Sequence, residues 1–156
     1  MSLTISPAPV RKEITVTASQ ARAFETFTRQ IGTWWIKGHS ISASGQAEVV
    51  IEPRIGGAWY EIGTSGERCD WGRVLAWEPP ARLVLTWQIN ASWAYDPNLI
   101  TEVEVQFTAL DAARTKVTLE HRGFASYGEN AAALREQYDS DMGWAGLLRA
   151  FADSAL

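Results

Sequence analysis

The feature that most constrains the fold of this chain is a series of short strand-like segments between residues 47 and 122. Residues 102–107 and 116–121 alternate polar and apolar side chains with a period of two, as strands with one buried face do. The other segments cover 47–52, 58–62, 68–77 and 82–89. The connections are roughly three to six residues long, too short for parallel crossovers, so we expect a mostly antiparallel sheet.

One strand and one or two helices are predicted before this series. Residues 11–17 have strand character, and Thr17 and Gln20 then stand at the spacing of a capping box that begins a helix. Apolar side chains follow on one helical face: Phe24, Phe27 and Ile31. We expect Gly32 to end or bend this helix and residues 33–36 to form a short second one.

The C-terminal segment predicts a helix that covers the sheet. Residues 129–137 are rich in Ala, Leu and Glu, and the apolar residues beyond them share one helical face: Trp144, Leu147, Leu148, Phe151 and Ala155. Residues 139–143 interrupt the pattern, so one kinked helix and two shorter helices both remain open. A helix over 140–155 would span about 24 Å. A straight helix laid on a curled sheet leaves space at one end.

Together these elements predict an α+β fold in one domain over residues 1–156. We expect a curved antiparallel sheet of about seven strands, wrapped on a long C-terminal helix, with one or two short helices after the first strand. The chain carries 14 Lys and Arg against 18 Asp and Glu, a net charge of −4, and has no basic cluster. We therefore expect no nucleic-acid partner.

Further features exclude other classes of site. Cys69 is the only cysteine, and the two histidines lack the spacing of metal ligands, so we expect no disulfide, no metal and no cofactor. No nucleophile elbow, phosphate-binding loop or other catalytic motif is present. Residues 1–16 lack the apolar core of a secretory signal, and no stretch could insert into a membrane. These observations predict a cytoplasmic protein.

The tryptophan content is the most unusual part of the composition, with 8 in 156 residues. Each indole buries a large ring and seeks an acceptor for its N–H group. The set therefore indicates either a bulky core or a concave surface with aromatic walls.

Five segments form a series in a characteristic order: AFETF at 23–27 followed by WW at 34–35, EPRIGGAWYE at 52–61, GRVLAWEPPARLVLTW at 72–87, TKVTLEH at 115–121, and GW with LL within 143–148. This series resembles the family of homologues of the activator of the heat-shock-protein-ninety ATPase. That family lies within the START-like helix-grip superfamily (SRPBCC), which includes the major birch pollen allergen. The similarity covers residues 10–155.

The resemblance implies a cavity between the terminal helix and the sheet, because superfamily members bind sterols, lipids, polyketides and hormones. We expect a non-catalytic binder of a small hydrophobic or aromatic molecule. The candidates for lining its cavity are Trp35, Tyr60, Trp71, Leu85, Trp87, Phe107, His121, Trp144 and Leu148.

An enzyme of the cyclase or lyase type is the first alternative, since some members of the superfamily catalyse such reactions. It would use His121, whose side chain is expected to face inward, with Glu61, Asp70 or Tyr60 nearby. For His121 itself we favour a role at the edge of the core. His39 is expected to be a solvated loop residue, and Glu61 to lie on the solvent face of the sheet.

A protein-interaction module is the second alternative. The loop over 90–100 contains Trp93 and Tyr95, which would form an exposed apolar patch, a lid over the cavity or a homodimer contact. The related eukaryotic co-chaperones carry an additional N-terminal domain for which these 156 residues leave no room. Contact with a chaperone therefore stays an alternative, and chaperone activation is not expected.

Overall fold

A computed structural model describes residues 7–156, and its strands form one antiparallel sheet. Over these residues the sheet has seven strands in the order β1-β7-β6-β5-β4-β3-β2. The strands are β1 Val10–Val16, β2 Gln46–Ile51, β3 Ala58–Gly63, β4 Arg68–Glu78, β5 Arg82–Trp87, β6 Thr101–Asp111 and β7 Arg114–Arg122. The predicted order of strands is confirmed, and residues 1–6, the start of the segment considered as a signal, lie outside the described part.

In the described part of the chain, four α-helices accompany the sheet. They are α1 Gln20–Thr28, α2 Ile31–Trp34, α3 Ala131–Asp139 and α4 Gly146–Ser154. A 3₁₀ segment, Phe124–Asn130, connects β7 to α3. The predicted α+β class, a curled antiparallel sheet with a C-terminal helix, is confirmed. Within residues 7–156, no helix combines the length and the apolarity needed to cross a membrane.

The first helices begin and end differently from the prediction. Ser19, not Thr17, caps α1, because its Oγ accepts a hydrogen bond from the Arg22 N–H at 3.2 Å. Gln20 donates a hydrogen bond from Nε2 to the Phe107 carbonyl at 2.7 Å. Its side chain therefore bonds to the sheet and does not form a capping box. Gly32 lies inside α2, which starts at Ile31 and ends at Trp34.

The C-terminal helix is divided into two by a break over residues 140–143. Ser140 is extended (φ −77°, ψ 170°), and Gly143 has the non-helical angles φ −99° and ψ −130°. A Cβ atom at Gly143 would overlap the backbone carbonyl oxygen of Tyr138, so the chain can pass here only with glycine. Of the two arrangements that the sequence left open, the structure has two shorter helices.

The interior between the helices and the sheet has two ends. At the end under α1, α2 and α4, buried aromatic rings pack closely against one another. Phe27 contacts Trp34, Phe107 and Phe151 with ring centroids 5.1, 5.8 and 5.2 Å apart. We call this set the closed end: Phe24, Phe27, Trp34, Phe107 and Phe151. All five side chains are buried.

Candidate functional site

A pocket of about 580 Å³ opens at the other end of the interior. It lies between the loop after α2, strands β4 and β5 with the loop beyond them, and the break between α3 and α4. Its walls are mostly apolar and aromatic: Trp35, Ile36, Gly38, His39, Ser40, Ile41, Trp71, Trp87, Ile89, Trp93, Gln137, Tyr138, Met142, Gly143, Trp144 and Leu147.

Four buried tryptophans form the inner wall, and each donates its indole N–H to an acceptor within the protein. The bonds are Trp35 to the His39 carbonyl (2.9 Å), Trp71 to Glu61 Oε1 (3.1 Å), Trp87 to the Tyr138 hydroxyl (3.1 Å) and Trp144 to His121 Nδ1 (3.0 Å). Because every N–H group is satisfied internally, the wall presents aromatic carbon to the pocket. The orientation of each ring is also fixed by its hydrogen bond.

Glu61 lies behind this wall and connects two parts of it. Its carboxylate is fully buried and accepts hydrogen bonds from the Ser40 hydroxyl (2.6 Å), the Ile41 N–H (2.6 Å) and the Trp71 indole (3.1 Å). All three donors are uncharged. The prediction that Glu61 lies on the solvent face is wrong, because these donors stabilise it inside. Arg73, on the neighbouring strand β4, is exposed.

His121 is fully buried and positions Trp144. The Trp144 indole can only donate, so Nδ1 of His121 is the unprotonated nitrogen and Nε2–H donates to Thr101 Oγ1 at 2.8 Å. The Thr101 hydroxyl in turn donates to the Trp87 carbonyl. Burial lowers the pKa of His121 from 6.5 to about 3. The imidazole is therefore neutral near pH 7 and has both nitrogens occupied.

His39 connects the loop after α2 to the helix break across the pocket. Its Nε2–H donates to the Met142 carbonyl at 2.9 Å, because a carbonyl oxygen can only accept. The covered Nδ1 has no hydrogen-bond partner among residues 7–156. A turn from Ile36 to His39, closed by a 2.9 Å backbone hydrogen bond, brings the His39 ring to the pocket. The sequence predicted instead that His39 is a solvated loop residue.

The structure brings four of the nine predicted cavity residues to the pocket: Trp35, Trp71, Trp87 and Trp144. The other five lie elsewhere. Leu85 and Leu148 are buried in the packed core, Phe107 belongs to the closed end, and His121 is covered by Phe124, Tyr138 and Trp144. Tyr60 is half-buried beneath the Arg68 guanidinium, 3.9 Å from its ring centroid.

Several pocket residues were not predicted, and the reason differs between them. Tyr138 and Leu147 stand on the inner faces of α3 and α4, where helical periodicity marks burial but not the edge of a void. Ile89 follows the end of β5, and Gly143 and Met142 belong to the helix break. The run Asp139–Gly143 signalled a break but gave no indication that it borders a cavity.

A shallower depression of about 390 Å³ lies on the outer face of the sheet. Its rim includes Glu104, which accepts hydrogen bonds from Arg82 and Arg122, both at 2.6 Å. Arg82 is the main cause of a Glu104 pKa lowered to about 2. These charges compensate one another, so this face carries a partly solvated ion-pair network.

Comparison with known proteins gives one family match. The family model described as activator of Hsp90 ATPase homolog 1-like protein matches residues 17–154. Among curated proteins, none matches the chain.

Solved structures give similar proteins over nearly the whole chain. One is an anthrahydroquino-γ-pyrone synthase, Txn09, with 33% identity, 96% of this chain and 97% of that chain covered, and a TM-score of 0.67. Another is CalC, a self-sacrificing resistance protein from Micromonospora echinospora, which is 32% identical. The match covers 95% of this chain and 94% of CalC, with a TM-score of 0.71. The Aha1 dimer from Colwellia psychrerythraea shares 16% identity over 96% of each chain with a TM-score of 0.61, which shows a common fold.

Proposed function

Because the chain belongs to the family of activator of Hsp90 ATPase homolog 1-like proteins, as its sequence motifs indicated, we propose that it binds a small apolar or aromatic molecule in the tryptophan-walled pocket. The observation that carries the proposal is an open volume of about 580 Å³ beside an inner wall of four tryptophans, whose indole N–H groups are already bonded within the protein. Pockets of roughly 300–1,000 Å³ with apolar walls and few polar groups are typical of small-molecule sites.

Ring compounds are the class of ligand that we favour. Aromatic walls gain from stacked and edge-to-face contacts in addition to the area that they bury, and an aliphatic ligand offers only the area. The name of Txn09, 33% identical to this chain, denotes an anthrahydroquino-γ-pyrone, a compound with fused rings. A fused-ring molecule would fit a site whose inner surface consists largely of indole carbon.

Binding without chemistry is favoured over a cyclase or lyase reaction. The enzymatic hypothesis rested on His121 opening onto the cavity beside a carboxylate. Its two nitrogens instead bond to Thr101 and Trp144, and its ring has no exposed surface. Asp70 pairs with Arg68 at 3.0 Å, and Glu61 is held by its three uncharged donors.

The test is calorimetric titration of the wild-type protein with 1,8-dihydroxyanthraquinone, a flavone, a sterol and lauric acid. We expect binding, strongest for the flat ring compounds. Ile36→Trp, which adds a ring to the pocket wall, should weaken that binding at least tenfold by filling the void. Leu75→Trp, on the outside of β4 and 44% exposed, is the matched control and should bind as the wild type does.

Two results would contradict this function. One is a flat titration for every compound together with native mass spectra that contain only the bare chain. The other is equal weakening by Ile36→Trp and Leu75→Trp, because the added indole would then act through general destabilisation and not through the pocket.

A further inference from the structure

Trp93 has an unusual backbone conformation. Its φ is +58°, and within residues 7–156 every other positive φ belongs to a glycine. In this left-handed region the Cβ of an L-residue crowds the following carbonyl oxygen, so a bulky side chain is rarely found there. The position would be filled with less strain by glycine or asparagine.

The turn around Trp93 is well formed, so the conformation is part of a defined structure. Asn90 Oδ1 accepts hydrogen bonds from the N–H groups of Ser92 (2.9 Å) and Ala94 (3.1 Å). The Ala94 carbonyl accepts from the Asn90 N–H at 2.8 Å, and Ile89 pairs with Tyr95 just below the turn. None of these bonds uses the Trp93 side chain, so the turn itself gives no reason for a tryptophan.

The side chain of Trp93 also contributes little to the core. It is 41% exposed, whereas the four tryptophans of the inner wall are almost completely buried. Among residues 7–156, its one close aromatic neighbour is Tyr138, at 6.5 Å between centroids and 79° between planes. Tyr138 and Trp93 both line the pocket, and Trp93 is the partly exposed tryptophan at its opening. Its free surface is therefore available to whatever occupies the pocket.

We infer that Trp93 is a specificity-determining residue, held in a strained turn so that its indole closes the pocket over a flat aromatic ligand. This inference rests on the proposed function and goes beyond it, because it assigns the loop over 90–100 to ligand binding instead of to a dimer contact. Strained residues are concentrated at functional sites, where the surrounding structure enforces a conformation that the chain would otherwise avoid. A flexible aliphatic ligand would gain less from the ring than a flat one.

The test compares Trp93→Gly, Trp93→Ala and Trp93→Phe with the wild type. Both small variants lose the indole, but only glycine relieves the strain. We expect the folding equilibrium constant of Trp93→Gly to exceed that of Trp93→Ala by about fivefold in urea unfolding, the reverse of the usual order of the two residues. Calorimetry should show both variants binding 1,8-dihydroxyanthraquinone at least tenfold more weakly than the wild type, and Trp93→Phe within about threefold.

Lauric acid separates the ring contact from a general change in the pocket. Its affinity should fall less than threefold in both small variants, because an alkyl chain does not depend on an aromatic edge. Wild-type affinity for the anthraquinone in Trp93→Gly and Trp93→Ala would overturn this inference and leave the proposed function intact. Loss of affinity in Trp93→Ala alone would also overturn it, since the effect would then come from the turn. No binding of any probe by the wild type would refute both.

Discussion

The closed end and the pocket end of the interior are both built from large aromatic residues, yet only one of them is filled. At the closed end, phenylalanines meet edge to face at centroid distances of 5.2 and 5.8 Å, and these rings have no polar group to satisfy. At the pocket end, Trp35, Trp87 and Trp144 lie 6.0–6.4 Å apart, and each indole N–H has its own acceptor.

The difference shows how an apolar void can persist in a close-packed interior. Phenylalanine rings are free to move until they fill the space, because only packing determines their position. An indole that moved into the void would leave its N–H group and its acceptor unpaired, at a cost of about 1–3 kcal/mol for each buried group. The acceptors behind the wall therefore hold these four indoles in place at the edge of the pocket.

The largest effect that separates the two ends is expected for Phe27→Ala. Removing this ring from its contacts with Trp34, Phe107 and Phe151 should reduce the free energy of unfolding by about 3–5 kcal/mol. Affinity for 1,8-dihydroxyanthraquinone in the folded fraction should change less than threefold. Urea unfolding and calorimetry provide the two measurements, with Phe27→Leu as a milder control. If ligand binding fell as steeply as stability, the two ends could not be treated as separate.

Glu61→Leu should have the next largest effect and should act at the pocket end. Leucine has no acceptor for the three donors that bond to the carboxylate, so they are left unpaired. We expect a loss of about 2–3 kcal/mol in unfolding free energy, with anthraquinone affinity reduced about tenfold as Trp71 and the 40–41 loop lose their common anchor. Glu48→Leu, exposed on β2, should change stability by less than about 0.5 kcal/mol. Equal behaviour of the two variants would mean that Glu61 does not position the wall.

The smallest of the three effects is the pH dependence due to His121. Its pKa is lowered from 6.5 to about 3 in the folded chain, so the unfolded chain binds a proton first as the pH falls. The stabilising contribution is complete above about pH 6.5 and decreases by about 1.4 kcal/mol per pH unit below it. Between pH 6.5 and 5 we expect a loss of about 2 kcal/mol.

Urea unfolding across this pH range checks the expectation. The lowered pKa values of Glu67 and Glu104, each about 2, affect stability only below the ordinary glutamate value of 4.5, so the window from pH 6.5 to 5 isolates His121. His121→Asn should remove the slope, and His39→Gln, which leaves His121 in place, should keep it. A slope that survives in His121→Asn would assign the proton to another group.

The fold was largely predictable from the sequence because its signals are local. The period-two alternation over 102–107 and 116–121 lies within β6 and β7, and short connections required antiparallel pairing. The capping residue of α1 was not predicted correctly, since Thr17 and Ser19 are both good caps and the choice depends on where the helix meets the sheet. Gly32 was misjudged for a similar reason, because packing of α2 against β2 overrides its low helix propensity.

The site was only partly predictable because a void is defined by several distant segments. Strand periodicity correctly predicted that the His121 side chain points inward. Whether an inward side chain meets a cavity or another ring depends on the neighbouring elements, and here Tyr138 of α3 covers the His121 ring at 5.2 Å between centroids. Glu61 was expected outside because charged residues are seldom buried. Its hydrogen-bond partners Ser40 and Ile41 lie 21 and 20 residues away in the sequence, and no residue pattern within β3 indicates them.

The break at residues 140–143 offers a way to sort relatives of this chain by sequence alone. A homologue with any side chain at the position of Gly143 cannot reproduce the bend past Tyr138, and its last helix must take a different course. Such a homologue would place different atoms opposite the 38–41 loop and would have a differently shaped entrance. A single alignment column therefore distinguishes chains that share this entrance from those that share only the surrounding architecture.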